Sequence, residues 1–406
     1  MLWQPSLPER YTKASDEELS AAIEDRRQRL GEQLVILGHH YQTDDVICHA
    51  DFTGDSLKLS QLAGAVARER NVRYVVFCGV HFMAESADML TPEHVQVILP
   101  DLSAGCSMAD MADIDDTTHA WEVITASLRR AGWTGRIVPI TYVNSTAAIK
   151  AFVGDHDGAC CTSSNADRVF EWALSQGEDV KILFLPDQHL GRNTAAKFGI
   201  DVEQHSCVYD PRLARMGEPF GGATEDDLLR SRVILWAGHC SVHKLFRPEH
   251  CHAVRRANEQ LEPGQEPMRI LVHPECAKEV VDLADFSGST EFIINQVRRS
   301  APGARWAIGT EHHLVDRLRK EAAARGVEVR ILSDCQCMCT TMYRIDQPHL
   351  LWALDGLCGI GTGPDGSDGK PVARNVISVA PHVRNSALRA LHRMLELTAP
   401  ATQMAD

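Results

Sequence analysis

Three cysteines of this chain stand in equivalent places, each following an apolar run that breaks into Gly, Asp or Ser just before the sulfur. VQVILPDLSAGC ends at Cys106, SRVILWAGHC at Cys240 and VEVRILSDCQCMC at Cys339. Runs of this kind, rich in β-branched residues, read as buried strands closed by a turn. Thiolates are soft ligands, and open α/β sheets gather their ligands at the carboxyl ends of strands. Three such strand ends facing one axis would hold a single soft metal centre from three sides. Three thiolates on a four-site centre leave one position for a substrate.

The same order of chemistry surrounds each cysteine. Polar strand ends come first, with His39 and Tyr41, then Tyr142, Val143 and Asn144, then His273, Pro274 and Glu275. A turn of small residues then opens a helix, in GDS with Ser56, TSS with Ser163 and GST with Ser289 and Thr290. A further set follows in VVFCGVHFMAESADML, KILFLPDQHLGRNTAAKF and WAIGTEHHLVDRLRKEA, and the cysteine comes last. Glu275 has the residue type for a general acid or base, because a carboxylate beside a metal centre and a histidine can be poised near neutrality. Tyr41 and Tyr142 can donate to a developing oxyanion, and His243, three residues after Cys240, is placed to meet a carboxylate or carbonyl. Hydroxyls at helix starts cap the helix as a matter of course, and they also suit phosphate or carboxylate groups.

Self-similarity at the period of a small domain predicts triplication of a βαβ-rich unit: an α/β protein with three parallel sheets packed around a shared centre. The boundaries expected are 1–116, 117–243 with an insertion at 203–229, 244–345, and a C-terminal loop and helix over 346–406. Within the last segment, 356–373 reads as a mobile Gly- and Asp-rich loop, and 374–398 as an amphipathic helix docking back on the first repeat. Residues 16–30, with acidic side chains in the first turn, read as an N-terminal helix.

At 406 residues the chain is too long for one hydrophobic core. A net charge of −14 without a basic stripe argues against nucleic acid. MLWQPSLPER lacks the apolar region of a signal peptide, and no apolar run approaches membrane-spanning length, so the chain reads as cytoplasmic. Thirteen cysteines in that setting read as reduced thiols. Cys48 and Cys78 read as small core hydrophobes, and Cys160 and Cys161 as packing residues.

The strings GHHYQTDDVICHADFTGDSLKLSQLA, GVHFMAESADML, PDLSAGCSMADM, TYVNSTAAIKA, CTSSNA, GHCSVHKLF, HPEC, FSGST and GTEHHL, with Cys339 to Met342, resemble in order and over nearly the whole chain the quinolinate synthases. The resemblance implies three pseudo-symmetric αβα domains around one 4Fe-4S cluster per chain on three cysteines. It also implies condensation of iminoaspartate with dihydroxyacetone phosphate, losing phosphate and water to give quinolinate on the route to NAD, with coupling to an aspartate-oxidising enzyme. By the same resemblance Ser56, Ser163 and Thr290 contact substrate. Family members carry Cys-Pro-x-Met after the third ligand, whereas this chain has Cys-Thr-Thr-Met. The Cys-to-Met spacing favours Cys339 over Cys335 and Cys337, while HHY leaves His39 versus His40 open, with the spacing to Tyr41 favouring His39. Two other classes share these features: another open-site 4Fe-4S hydro-lyase, and a non-enzymatic zinc-stabilised or iron-sensing protein using the CQCMC tract.

Overall fold

A computed structural model describes residues 4–334 and 336–399. The fold is α/β with three mostly parallel sheets. The first contains β1 (Leu34–His39), β2 (Phe52–Gly54), β3 (Tyr74–Cys78) and β4 (Gln96–Ile98). The second contains β5 (Arg136–Tyr142), β6 (Ala159–Cys161), β7 (Val180–Leu185), β8 (Ser206–Tyr209) and β9 (Val233–Trp236). The third contains β10 (Met268–Val272), β11 (Phe286–Ser287), β12 (Arg305–Gly309) and β13 (Glu328–Ile331). A last short strand, β14 (Val376–Ile377), pairs antiparallel with β4 at the edge of the first sheet.

One strand order recurs: β2-β1-β3-β4, β6-β5-β7-β9 and β11-β10-β12-β13. It is the doubly wound order in which ligands collect beyond the carboxyl ends of the strands. β1 and β7 are buried along their whole length, as parallel strands covered on both faces must be, so their sequences read as continuous apolar runs. The repeat reaches single hydrogen bonds. Asp51 Oδ2 accepts from Ile36 N at 2.7 Å while Asp51 N donates to Ile36 O at 2.8 Å. Asp285 does the same with Ile270, at 2.7 and 2.9 Å. Each aspartate opens the second strand of its sheet within an Ala-Asp-Phe string.

By compactness the described chain divides into two units. One holds residues up to Cys106 together with His312–Arg317 and Met338–Ala380, and therefore the first sheet. The other holds Ser107–Glu311 and Leu318–Cys337 with the C-terminal segment from Pro381, and therefore the second and third sheets.

Several expectations are met or corrected at this level. The N-terminal helix runs Asp16–Leu30 behind a capping box of Ser15 and Glu18. The segment 203–229 contributes an edge strand, β8, paired to β9. The segment 356–373 is pinned by backbone bonds from Gly369 N to Gly359 O (2.7 Å) and Val372 N to Gly356 O (2.8 Å), and its first residues end a helix, Gln347–Cys358. The terminal helix, expected at 374–398 against the first repeat, spans Pro381–Thr398 and packs on helix Ala147–Asp155 and β6 of the second sheet. The reason is complementary relief. Its buried stripe is Ala387, Ala390, Leu391 and Met394, at helical spacing. The bare Cα of Gly154 faces it, where a Cβ would sit 1.9 Å from the Ser386 carbonyl oxygen. Among the described residues no helix is long and apolar enough to cross a membrane.

Candidate active site

In the second unit the ends of β5, β7, β9, β10 and β12 supply one cluster of polar side chains. Tyr142 is the last residue of β5, His273 and Glu275 follow β10, and Cys240 and His243 follow β9. Glu275 is 3% exposed and His243 1%. His243 Nδ1 lies 2.8 Å from Glu275 Oε2, and its Nε2 lies 3.1 Å from Thr310 Oγ1. An ionised carboxylate can only accept, so Nδ1–H donates to Glu275 and Nε2 accepts from the Thr310 hydroxyl when the ring is neutral. Tyr142 also donates to Glu275. The His243 and His273 rings stack at 4.5 Å, 20° from parallel.

The electrostatics follow from these contacts. Burial works to raise the Glu275 pKa, but the imidazoles of His243 and His273 and hydrogen bonds from His243 and Tyr142 outweigh it, and Glu275 is held below the usual carboxylate range. The expectation that Glu275 is poised near neutrality is therefore corrected: its donors stabilise the charged form. Asp187, fully buried after β7, goes the other way, pushed well above its usual value by burial and then by the charge of Glu275. The two carboxyl groups are thus driven in opposite directions, Glu275 toward the charged form and Asp187 toward the neutral one. Burial pushes His273 down to about 3. Its Nδ1 accepts the Glu275 backbone N–H at 3.3 Å, so the neutral ring carries its proton on Nε2.

The remaining predicted residues of this unit follow β5, β6, β10 and β11. Val143 N donates to Cys161 O at 2.8 Å, and Asn144 Oδ1 is buried without a hydrogen-bond partner among the described residues. Ser163 lies in the turn before helix Ala166–Leu174. Ser289 caps helix Thr290–Arg298 by accepting from Phe292 N, while Thr290, first in that helix, is buried. Pro274 O accepts from Asn193 Nδ2 at 2.8 Å.

The first unit carries the matching half of the pattern. His39 ends β1, is buried, and its Nδ1 accepts from Tyr41 N at 3.1 Å, as His273 accepts from Glu275. His40 is more exposed and donates its N–H to Gly54 O. Ser56 is the first residue of helix Ser56–Glu69, whose cap is Asp55, so Ser56 and Thr290 correspond in register. Cys106 and Cys339 follow β4 and β13.

Burial sorts the thiols. Cys78 and Cys160 are pushed to about 12, and Cys207 to about 11, each by burial first, which makes them poor thiolates. Cys106, Cys240 and Cys339 are partly exposed. Cys337 is fully buried, its Sγ 3.1 Å from Ser333 Oγ, and Cys335 lies outside the described residues. Cys48, expected in the core, is exposed because it ends the short helix Asp44–Ile47 at the surface. The ligand atoms of Cys240, His243 and Glu275 lie within 4.8 Å of one another, a donor set able to hold a metal.

Asp187, Asn193, Thr310 and Glu311 were not singled out in the sequence. All are buried and all follow the third strand of their repeat. The signal was the third set of repeated strand ends, whose polar residues were noted without roles. The chain's likeness to known proteins covers both units. A family model described as "Quinolinate synthetase A protein" matches residues 21–396. A quinolinate synthase of Acidobacterium capsulatum is 49% identical over 387 residues, 95% of each chain. One of Geobacillus kaustophilus is 49% identical over 391 residues, 96% of each. One of Rhodopirellula baltica is 47% identical over 395 residues, 95% of this chain and 92% of its own. A family match over residues 21–396 and identity of 47–49% over more than nine-tenths of each chain leave one assignment: the chain belongs to the quinolinate synthase family.

Proposed function

We propose that this enzyme condenses iminoaspartate with dihydroxyacetone phosphate to form quinolinate, with loss of phosphate and water, in the biosynthesis of NAD. The observation that carries the reading is the buried Tyr142–Glu275–His243 network beside Cys240, in a chain of this family. Dehydration and ring closure need groups that move protons and groups that hold small anions. In this reading Glu275 fixes the His243 tautomer, and His243 Nε2 takes up or returns the proton. Tyr142 and Tyr41 donate to developing oxyanions. His39, Val143, Asn144, Ser163, His273 and Pro274 shape the substrate site, and Ser56, Ser289 and Thr290 meet phosphate or carboxylate at helix starts.

Cys106, Cys240 and Cys339 would hold a 4Fe-4S cluster. The donor set fits: these thiols are partly exposed whereas Cys78, Cys160 and Cys207 are buried with raised pKa values. When bound, such a cluster with three protein ligands supplies a Lewis-acidic iron. Cytoplasmic location, functional coupling to an aspartate-oxidising enzyme, and repeat boundaries near residues 116, 243 and 345 belong to the same reading.

The test is anaerobic purification with iron, sulfide and visible absorption measured beside quinolinate formation, for the wild type and for Glu275→Gln. The substitution keeps shape but cannot carry the charge. Its expected outcome is an unchanged chromophore with turnover lower by on the order of a hundredfold. Turnover within about threefold of wild type would assign Glu275 to structure. A second reading, a mononuclear zinc site, is favoured by the Cys240–His243–Glu275 donor set. One equivalent of zinc without sulfide in the wild type would establish it in place of the cluster.

A further inference from the structure

Beyond the residues proposed above to move protons and bind, one further element joins the cysteine turn of the second sheet to the glutamate turn of the third. Helix Gln188–Lys197 touches both. At its start Asp187 caps the helix, its Oδ1 accepting from His189 N at 2.7 Å and Leu190 N at 2.8 Å. Asp187 also pairs as an isolated parallel bridge with Gly238, two residues before Cys240. Gln188 N donates to Gly238 O at 3.0 Å, so the helix start and the cysteine turn are also joined along the main chain. Gly238 permits the approach, since a Cβ there would lie 2.2 Å from Pro186 O.

Six residues on, Asn193 reaches the other turn. Its amide nitrogen donates one hydrogen to Pro274 O at 2.8 Å and one to Cys276 O at 2.9 Å. These carbonyls bracket Glu275. Asn193 is 5% exposed, so both bonds are shielded from water, and losing them would strand two buried carbonyls. Six residues of helix span about 9 Å and do not stretch. Asn is the residue type that can satisfy two acceptors from one nitrogen without bringing in a charge.

We propose that helix Gln188–Lys197 is a strut that sets the distance between the Cys240 turn and Glu275, with Asp187 and Asn193 as its two positioning residues. Neither touches substrate in this reading; each acts through a neighbour. The Asn193 end rests on the catalytic role of Glu275 and the Asp187 end on the ligand role of Cys240, both proposed above.

The decisive experiment is a double-mutant cycle of Asn193→Leu with Glu275→Gln, read by kcat, KM, iron per chain and unfolding midpoint. A positioning residue predicts that Asn193→Leu alone lowers kcat by about tenfold with KM changed less than about twofold and iron unchanged, and that in the Glu275→Gln background its further effect shrinks below about twofold. Equal losses in both backgrounds overturn the Asn193 assignment while leaving the role of Glu275 intact. Normal turnover in Glu275→Gln alone overturns both. Thr194→Val, which removes an internal hydroxyl bond to Leu190 O on the same helix, reports what a purely structural change does: it shifts the midpoint without coupling to Glu275. Should Asn193→Leu fail to fold, Asn193→Ser, which keeps one donor, takes its place in the cycle with the same criteria. At the other end, Asp187→Ala is expected to lower iron per chain after anaerobic reconstitution by about threefold or more, and Asp187→Asn, which keeps an acceptor for His189 N and Leu190 N at the helix start, to restore it. Full iron in Asp187→Ala overturns that end. Cys240→Ser measured alongside shows separately whether Cys240 is a ligand at all.

Discussion

A carboxylate buried as deeply as Glu275 stays ionised only because the protein returns what water would have given. His243 and Tyr142 donate to it, and its own backbone N–H is taken by His273. The thiols show the opposite balance, since deep burial raises the pKa of Cys78, Cys160 and Cys207, and in Cys207 it outweighs a hydrogen bond from Ser231. The prediction at this scale is a ligand map. Single replacement of Cys106, Cys240 or Cys339 by Ser should leave a folded chain without the visible cluster absorption, whereas Cys337→Ser should keep it, since Cys337 is closed off from solvent beside Ser333. Iron and sulfide analysis of the four proteins decides. A bleached Cys337→Ser with an intact Cys339→Ser would move the third ligand by two residues.

At the scale of elements, close approach does the positioning. The terminal helix Pro381–Thr398 sits against helix Ala147–Asp155 because Gly154 offers no side chain, and Ser386 Oγ donates to Asp155 Oδ1 at 2.7 Å to fix the register. Helix Ala147–Asp155 in turn follows the end of β5, where Tyr142 closes the strand and Asn144 lies in the turn. Gly154→Ala should therefore cost about 1–3 kcal/mol through overpacking against backbone that cannot yield. Denaturant unfolding of the variant beside wild type measures it. A change below about 0.5 kcal/mol would mean that the terminal helix shifts freely on its neighbour.

For the molecule as a whole, a half-buried histidine, His189, and a buried one, His273, contribute to the response to acid. Burial first, then the nearby charge of Arg192, pushes His189 down to about 4 from an ordinary value of 6.5, and burial pushes His273 to about 3. The folded pKa lies below the unfolded one, so between about pH 6.5 and 4 the unfolded chain binds a proton that folded His189 refuses. The stability difference is absent above pH 6.5 and grows unfavourable as pH falls through that window. Unfolding midpoints at pH 7.5 and 5 should drop less for His189→Asn than for wild type, with part of the drop remaining because His273 is untouched. Identical drops in the two proteins would show that His189 does not govern the acid limb.

Much of this was legible in the residues themselves. β-branched runs closed by turns located the fourth strands and their cysteines, and HHY and HPE fixed two first-strand ends, because a parallel strand covered on both faces has little choice but to read as apolar and then stop. The repeated strand order was implied by repeated strings. Other features belonged to the tertiary structure. The direction of the Glu275 shift depends on donors that arrive from residues 142 and 243, distant in sequence. The partner of the terminal helix depends on a glycine more than 200 positions away, and an amphipathic stripe says only that a helix must bury a face, not which surface receives it. Asn193 looked like any polar residue on a helix, and only the fold brings its amide nitrogen to the two carbonyls that bracket Glu275. The sequence by itself determined which elements form and which side chains stand at their ends, since periodicity and turn chemistry are local. The charge state and spacing of those side chains were decided by contacts across the fold, because desolvation and hydrogen bonding depend on what surrounds a group in space.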